Sequence, residues 1–269
     1  MAISLNSGFE MPLMGLGLWR MEKDQIGPLI ITAIKLGYRH FDCAAHYKNE
    51  VEVGKALAEA FRSGLVKRED VFITSKASLQ LWNSDHGHVV GACRDSLKKL
   101  QLEYLDLYLI HFPIASTHTG VGTTGSVLDE DRMLDMDTTI SLESTWHDME
   151  KLVSLGLEAR NICATAHTPL GGSVANTKDF GSISCLDDPI LKGLAKKYEK
   201  SAAQIVLRWG IQRNIAVIPK TSKVERLKEN LQVLDDFKLS KEDMDLIKTM
   251  DRKYRTNPAS KSWGLDVYA

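Results

Sequence analysis

The sequence predicts an α/β protein with a parallel β-sheet, and two observations support that class. From Met14 onward, short apolar runs alternate with longer segments whose apolar residues recur at helical spacing. The run at residues 105–111 is almost continuously apolar, as is typical of a strand buried on both faces of a parallel sheet. A chain of 269 residues can form one large α/β domain or two smaller ones. Because the sequence contains no linker or low-complexity segment, we expect a single domain over residues 1–269.

The elements are expected in a regular order along the chain. Residues 3–12 are typical of a β-hairpin with Asn-Ser-Gly at its turn. Strands are then predicted at residues 14–19, 40–44, 71–76, 105–111, 162–168 and 215–219. Helices are predicted at residues 25–37, 51–64, 88–102, 140–156, 188–200, 201–213, 224–233 and 240–250. Gly27-Pro28 suits only the first turn of the first helix, and residues 112–137 are predicted to form a long loop.

Composition excludes several classes of function. The net charge is −1 and no basic run with interleaved aromatic residues is present, so we expect no nucleic-acid partner. No apolar stretch approaches the ~18 residues of a membrane span, and the first ten residues are too polar for a signal peptide. The 4 cysteines lie far apart without a C-x-x-C pair, which predicts reduced thiols in a cytoplasmic protein and no metal site.

Polar side chains at three predicted strand ends form a candidate active site. Asp42, Lys76 and His111 each close an apolar run, and Tyr47 follows the first of them in a βα loop. Parallel strands bring their C-terminal ends to one edge, where these groups can converge. A lysine beside a tyrosine is expected to lower the phenol pKa, an aspartate to hold the ammonium, and a histidine to bind a substrate carbonyl. The alternative is structural: Asp42 caps a helix and Tyr47 packs in a loop.

A glycine motif elsewhere is set aside. Residues 120–125 match G-x-G-x-x-G, but they do not follow a strand directly and no amphipathic helix begins after them. Both features are required for a dinucleotide-binding turn, so we do not expect a Rossmann site there.

Longer motifs show a resemblance to a known family across nearly the whole chain. Residues 15–19 (GLGLW), 37–44 (GYRHFDCA), 105–111 (LDLYLIH) and 218–223 (IPKTSK) resemble the aldo-keto reductase superfamily. A narrower similarity, to plant NADPH-dependent aldose-6-phosphate reductases of the mannose-6-phosphate and sorbitol-6-phosphate type, is carried by four segments: residues 45–48, 82–88, 166–172 and 263–269.

The resemblance implies a TIM-barrel (β/α)8 fold with an N-terminal β-hairpin and NADPH/NADP+ across its C-terminal mouth. It implies that Tyr47 is the proton donor, that Lys76 and Asp42 tune it, and that His111 orients the carbonyl. The implied reaction is the reduction of the aldehyde of a phosphorylated aldose, such as mannose 6-phosphate or glucose 6-phosphate, to the alditol phosphate. The implied partner is a small sugar phosphate, and the chain is expected to be a monomer or weak dimer.

The same resemblance assigns the binding residues. Those implied for the 2′-phosphate of NADPH are Lys220, Thr221, Ser222 and Arg226, with Glu229 and Asn230 on the adenine. His167 would stack on the nicotinamide at the turn formed by Pro169, Leu170 and Gly171. Trp19, Trp82 and Phe112 would line the substrate pocket. Apart from the resemblance, Lys48 directly follows the proton donor, so its ammonium is expected to reach the sugar phosphate. Three alternatives stay open: a surface cationic helix face for Lys220 and Arg226, core packing for Trp82, and a solvated Lys48.

The sequence departs from the family at two places. Ala77-Ser78-Leu79-Gln80 is inserted directly after Lys76, and a block is apparently deleted between Leu157 and Ile162. Roughly 45 residues are missing there, which corresponds to two βα units of the barrel. The family residues that hold the nicotinamide carboxamide fall in that block. We therefore expect an incomplete barrel with an exposed apolar seam beside residues 105 and 162, and the alternative function is a catalytically impaired NADPH-binding remnant, a splice or gene-model variant.

Overall fold

The computed structural model describes residues 1–5, 8–77, 88–111, 142–157, 165–166, 169–170, 185–234 and 237–251. The described strands are β1 (Ala2–Ser4), β2 (Glu10–Pro12), β3 (Leu16–Gly17), β4 (His40–Asp42), β5 (Phe72–Ala77), β6 (Leu107–Ile110), β7 (Thr165–Ala166) and β8 (Ala216–Val217). The described α-helices are α1 (Lys23–Leu36), α2 (Glu50–Arg62), α3 (His88–Leu100), α4 (Leu142–Ser154), α5 (Pro189–Tyr198), α6 (Ala202–Ile211), α7 (Val224–Leu231) and α8 (Lys241–Lys248). Helices and strands thus alternate as the sequence predicted.

The chain divides into two compact units, residues 18–161 with 259–269, and residues 1–17 with 162–258. In the first unit β4, β5 and β6 are parallel neighbours. The register pairs Asp42 with Thr74 on β5, and Lys76 with Leu109 on β6. Helices α1 to α4 pack in sequence order, α1 on α2, α2 on α3 and α3 on α4. This order is that of consecutive βα units.

Close packing between α2 and α3 depends on Gly54. A Cβ atom at this position would lie 2.3 Å from the carbonyl oxygen of Lys99 and 2.7 Å from the Cα of Leu100. Both are backbone atoms that cannot move aside, so the helices approach more closely than any other residue allows. The sequence requirement for glycine here is therefore steric.

A buried carboxylate joins the same two helices to the sheet. Glu50, at the start of α2, accepts hydrogen bonds from the Ser75 hydroxyl at 2.7 Å and the Ser96 hydroxyl at 3.1 Å. Glu50 is 2% exposed, and burial raises its pKa while both hydroxyls oppose that rise. Because Ser75 precedes Lys76 on β5, this carboxylate helps to fix the strand segment that carries the lysine.

The second unit holds the hairpin and the C-terminal helices. Strands β1 and β2 are antiparallel, as the sequence predicted, and β7 and β8 are parallel. A Cβ at Gly17 would lie 2.6 Å from the carbonyl oxygen of Ile218, so this close backbone contact also requires glycine. Helix α6 begins with a capping box in which Ser201 and Gln204 bond each other's backbone amides. The hydrophobic core among these C-terminal helices consists of Leu191, Leu194, Ile205, Leu239 and Ile247.

Two sequence expectations need correction. Helix α1 begins at Lys23, so Pro28 lies beyond the first turn to which the sequence analysis confined it. The helix persists because Ile26, Ile30 and Ile34 bury one continuous face, and tertiary packing outweighs the missing N–H. Leu105 is fully buried and its amide donates to the Leu157 carbonyl at 3.1 Å, so the predicted exposed seam does not include Leu105 itself, and Ile162 on its other side lies outside the described residues.

Several other expectations lie outside the described residues. These are the hairpin turn at residues 6–7, the insertion after Ala77, most of the predicted loop with its glycine motif at 120–125, and the bridge at residues 158–161. Within the described ranges, no helix is long and apolar enough to cross a membrane.

Candidate active site

The four predicted catalytic side chains lie in the first unit and come from adjacent elements. Asp42 is the last residue of β4, Lys76 is the fifth of β5, and His111 follows β6. Tyr47 ends a short 3-10 turn, Ala45–Tyr47, that leads from β4 into α2. The parallel register places these strand ends at the same edge of the sheet, as the sequence predicted.

Lys76 is the centre of this group. Its Nζ lies 2.6 Å from Asp42 Oδ1, 2.7 Å from the Cys43 carbonyl oxygen and 3.1 Å from Tyr47 Oη. An ammonium has three N–H donors, and each of these three acceptors can take one. Lys76 is 9% exposed and Asp42 is 3% exposed, so the pair is screened from water and its geometry is firmly set.

The phenol of Tyr47 is held in its protonated form. Tyr47 Oη donates to Asp42 Oδ1 at 3.3 Å while it accepts from Lys76. Burial raises the pKa of Tyr47 well above its ordinary value, and the charge of Asp42, the Cys43 thiol and the hydrogen bond to Asp42 raise it further. The predicted lowering of this pKa is therefore wrong, because burial of the phenol and the Asp42 carboxylate both raise the pKa and outweigh the neighbouring ammonium. A protonated phenol is the form that a proton donor requires.

Three aromatic rings form an edge-to-face series beside the phenol. The His111 ring centroid lies 5.9 Å from that of Tyr47, with 75° between the planes. The His46 ring lies 6.3 Å from that of His111, with 81° between the planes. His46 was not singled out from the sequence, although its place directly before Tyr47 was the available signal. The structure thus adds one titratable side chain to the predicted group.

Two predicted substrate-binding residues flank the turn. Lys48 is exposed and adopts a left-handed conformation, φ 59°, with its amide donating to the Ala45 carbonyl. Trp19 is 37% exposed, and the Arg20 guanidinium lies 4.4 Å from its ring. Asn49 Nδ2 donates to the Leu18 carbonyl at 2.9 Å, which ties the residue before Trp19 to the turn that carries Lys48. Trp82 and Phe112 lie outside the described residues.

The residues predicted for the NADPH 2′-phosphate lie in the second unit: Lys220, Thr221 and Ser222 follow β8, and Arg226 lies in the first turn of α7. Lys220, Ser222 and Arg226 are exposed, and Thr221 is buried with its hydroxyl accepting from the Lys223 amide at 3.1 Å. Among the described residues, no carboxylate pairs with Lys220, Lys223 or Arg226. Uncompensated cations beside a helix start are a donor set that fits a phosphate dianion.

The other residues predicted to bind the cofactor differ in burial and in hydrogen bonding, and two of them lie outside the described residues. The carboxylate of Glu229 accepts from the Ser201 hydroxyl, and its carbonyl oxygen accepts from Gln204 Nε2 at 3.0 Å. Asn230 is 5% exposed. Pro169 and Leu170 are half-buried in a turn, whereas His167 and Gly171 lie outside the described residues.

Comparisons with known proteins identify the family to which this chain is similar. A sequence profile described as "Aldo/keto reductase family" matches residues 13–168 and 157–252. The NADP-dependent D-sorbitol-6-phosphate dehydrogenase of Malus domestica is 55% identical over 312 residues, covering 99% of each chain. Aldo-keto reductase family 1 member A1-A of Danio rerio is 38% identical over 301 residues, covering 94% of this chain and 90% of the relative.

A solved structure supports the fold. The aldose reductase of Schistosoma japonicum matches with a TM-score of 0.85 and 31% sequence identity, covering 100% of this chain and 98% of that one. The fold is the α/β TIM barrel of these reductases. From these matches and the Asp42, Tyr47, Lys76 and His111 group, the chain belongs to the aldo/keto reductase family and is an oxidoreductase that uses NADPH/NADP+.

Proposed function

We propose that this chain reduces the aldehyde of a phosphorylated aldose to the corresponding alditol phosphate. The observation that carries the proposal is the buried contact of Lys76 with both Asp42 and Tyr47, which holds a protonated phenol at the strand ends. The 55% identity to the apple sorbitol-6-phosphate dehydrogenase supports a sugar phosphate as substrate. We infer mannose 6-phosphate or glucose 6-phosphate, the second of which gives sorbitol 6-phosphate on reduction.

The proton is supplied by Tyr47. NADPH, when bound, would supply the hydride for the carbonyl carbon, and the electron pair of the carbonyl π bond would then reside on the oxygen. Tyr47 Oη then gives its proton to that oxygen, which leaves a phenolate. The Lys76 ammonium, 3.1 Å from Oη, stabilises the phenolate through a charge-assisted hydrogen bond, and Asp42 holds the ammonium in place. Solvent returns a proton to the phenolate after the product leaves.

His111 is proposed to orient the carbonyl oxygen. Its ring stands edge-on to Tyr47, so a nitrogen of the ring can donate to the oxygen that the phenol protonates. A hydrogen bond that strengthens as charge develops on that oxygen favours the transition state over the substrate.

The cofactor is proposed to be held through the cations of the second unit. Lys220, Ser222 and Arg226 supply N–H and O–H donors to the 2′-phosphate, with the buried Thr221 shaping the turn between them. Glu229 and Asn230 are proposed for the adenine, and Pro169, Leu170 and Gly171 with His167 for the nicotinamide half. An NADH molecule lacks the 2′-phosphate, so this set favours NADPH.

Lys48 is proposed to bind the sugar phosphate. The left-handed turn at this residue leaves its side chain exposed one position after the proton donor. In the described part of the chain, Lys48 has no ion-pair partner, so its ammonium is available for an anion.

A second candidate is a catalytically impaired NADPH-binding remnant. The alignment with the apple relative runs over 312 positions, more than the 269 residues of this chain, so part of that relative has no counterpart here. We propose that the gap is the apparent deletion between Leu157 and Ile162, and that residues 1–269 form one domain around it. The family profile also matches in two segments rather than one, which supports this placement.

Two measurements separate the candidates. Quenching of protein fluorescence by NADPH reports binding, and the loss of NADPH absorbance with mannose 6-phosphate or glucose 6-phosphate reports turnover. Binding with turnover supports the reductase, and Tyr47→Phe serves as the inactive control. Binding without turnover on either sugar phosphate or on a simple aldehyde supports the remnant.

A further inference from the structure

His46 lies inside the candidate active site but has no role in the mechanism above. It occupies the middle of the 3-10 turn, between Ala45 and Tyr47, so the backbone that positions the proton donor also positions this ring. The ring meets His111 edge-on, at 6.3 Å between centroids. His111 in turn meets Tyr47. A substrate aldehyde held by Tyr47 and His111 therefore has His46 as a near neighbour.

The ring of His46 is neutral at physiological pH. Burial lowers its pKa, and the nearby Lys48 ammonium lowers it further. A neutral imidazole carries one N–H donor and one acceptor nitrogen. Such a ring suits a hydroxyl group, which also donates and accepts, better than it suits a phosphate.

These hydrogen-bonding groups are not used by the protein residues that the structure describes. His46 contacts His111 through its ring, and none of the described side chains or backbone groups forms a hydrogen bond with its nitrogens. The ring is also only half-buried, so one part of it faces solvent or ligand. A half-buried polar ring beside a reacting carbonyl has the features of a ligand contact.

We propose that His46 determines specificity for hydroxylated aldehydes by hydrogen-bonding the hydroxyl group on the carbon next to the carbonyl. The proposal rests on the proposed function, because it takes Tyr47 and His111 as the residues that hold the carbonyl. It divides the recognition of an aldose phosphate into three contacts. Tyr47 and His111 bind the carbonyl oxygen, His46 binds the adjacent hydroxyl, and Lys48 binds the distant phosphate.

The test compares two aldehydes of the same carbon number, D-glyceraldehyde and propanal. Both lack phosphate, so the outcome does not depend on Lys48 or on the identity of the sugar phosphate. His46→Phe keeps an aromatic ring against His111 but removes both nitrogens, and His46→Gln restores a donor and an acceptor. We expect His46→Phe to lower kcat/KM for glyceraldehyde about tenfold, mainly through KM, and to leave propanal unchanged. His46→Gln should recover part of the loss.

Two kinetic results would overturn the proposal. An equal loss on both aldehydes would show that His46 only positions His111, and no loss on either would show that the ring contacts no substrate. If glyceraldehyde is reduced with the expected pattern but no aldose phosphate is, the proposed function fails while the role of His46 stands.

A binding measurement tests the same contact without turnover. The imidazole nitrogens of the 15N-labelled parent chain can be followed by NMR, with His46 assigned by its absence from His46→Phe. Addition of glyceraldehyde in the presence of NADP+ should shift the His46 signals, and propanal should not. Signals that stay in place with both aldehydes, or move equally with both, would contradict the proposal.

Discussion

Lys76 Nζ lies 2.6 Å from Asp42 Oδ1, and both side chains are almost fully buried. The same carboxylate oxygen also accepts from Tyr47, so it faces a cation and a phenol at once. A buried carboxylate keeps its charge only with such partners, and a buried ammonium likewise. The ion pair therefore provides both the electrostatic setting of the phenol and the junction between β4 and β5.

Tyr47→Phe should abolish aldehyde reduction and leave NADPH binding intact. The substitution removes only the phenolic oxygen, so the Lys76 pair with Asp42 remains and the hydride source is unaffected. We expect kcat to fall by about 10²–10⁴-fold, the usual contribution of a positioned proton donor. Steady-state turnover is measured beside a fluorescence titration with NADPH. Activity equal to that of the parent chain would refute the role of Tyr47.

Glu50→Gln should change the pH dependence of stability. Burial raises the folded-state pKa of Glu50 above the unfolded value, so the folded chain binds its proton more tightly. The stabilising contribution of this carboxyl is therefore complete below the unfolded pKa, and is lost as pH rises through the folded pKa. Glutamine stays neutral throughout. The melting temperature of the variant relative to the parent should increase from about pH 4 to neutral pH.

Melting curves of both chains in matched buffers between these limits provide the measurement for Glu50. Glu59→Gln, whose side chain is exposed on the same helix α2, is the control. A difference between Glu50→Gln and the parent that does not vary with pH would contradict the raised pKa.

Lys220→Ala with Arg226→Ala should remove the preference for NADPH over NADH. Both cations are exposed and form no ion pair within the described residues, so a 2′-phosphate would take their hydrogen bonds. We expect NADPH affinity to fall about 100-fold in the double variant while NADH affinity stays the same. Lys228→Ala, on the same helix α7, is the control. Equal affinities for the two nucleotides in the parent chain would exclude this phosphate site.

Lys48→Ala should raise KM for aldose 6-phosphates more than for the unphosphorylated aldoses. Loss of one ammonium contact with a phosphate should raise KM by about tenfold, and an aldose without phosphate has nothing to lose. Lys55→Ala removes an exposed charge from α2 and controls for a general electrostatic effect. An equal change in KM for phosphorylated and unphosphorylated aldoses would show that Lys48 is a solvated lysine that does not bind the phosphate.

Inserting, between Leu157 and Ile162, the block that we propose is missing, taken from the apple relative, should stabilise the chain. Leu109 and Ile110, at the end of β6, are only half-buried, whereas Lys76 and Ala77 on β5 are buried. Net stability is only ~5–15 kcal/mol, so two further βα units that cover such residues should contribute a large part of it. We expect the present chain to melt about 10 °C or more below the restored chain. Equal, cooperative melts with equal turnover would argue against a harmful deletion.

Much of the site could be predicted because it depends on local patterns and one topological rule. Asp42, Lys76 and His111 each end an apolar run, and parallel strands bring such ends together. The hairpin and the alternation of helices and strands are equally local. His46 was missed because a histidine before a tyrosine carries no pattern of its own, and its edge-on contact joins residues far apart in the sequence.

By itself, the sequence determined the α/β class, the order of its elements and the residues at the strand ends, because hydrophobic periodicity and turn chemistry are properties of short segments. Only the tertiary structure decided the protonation of Tyr47, the contacts of Glu50 with Ser75 and Ser96, and the continuation of α1 through Pro28. Each of these is a balance between burial, charge and packing from distant segments. The pKa of Tyr47 shows why: the opposing charges of Lys76 and Asp42 were both visible in the sequence, but which one prevails depends on distances and burial that only the folded chain sets.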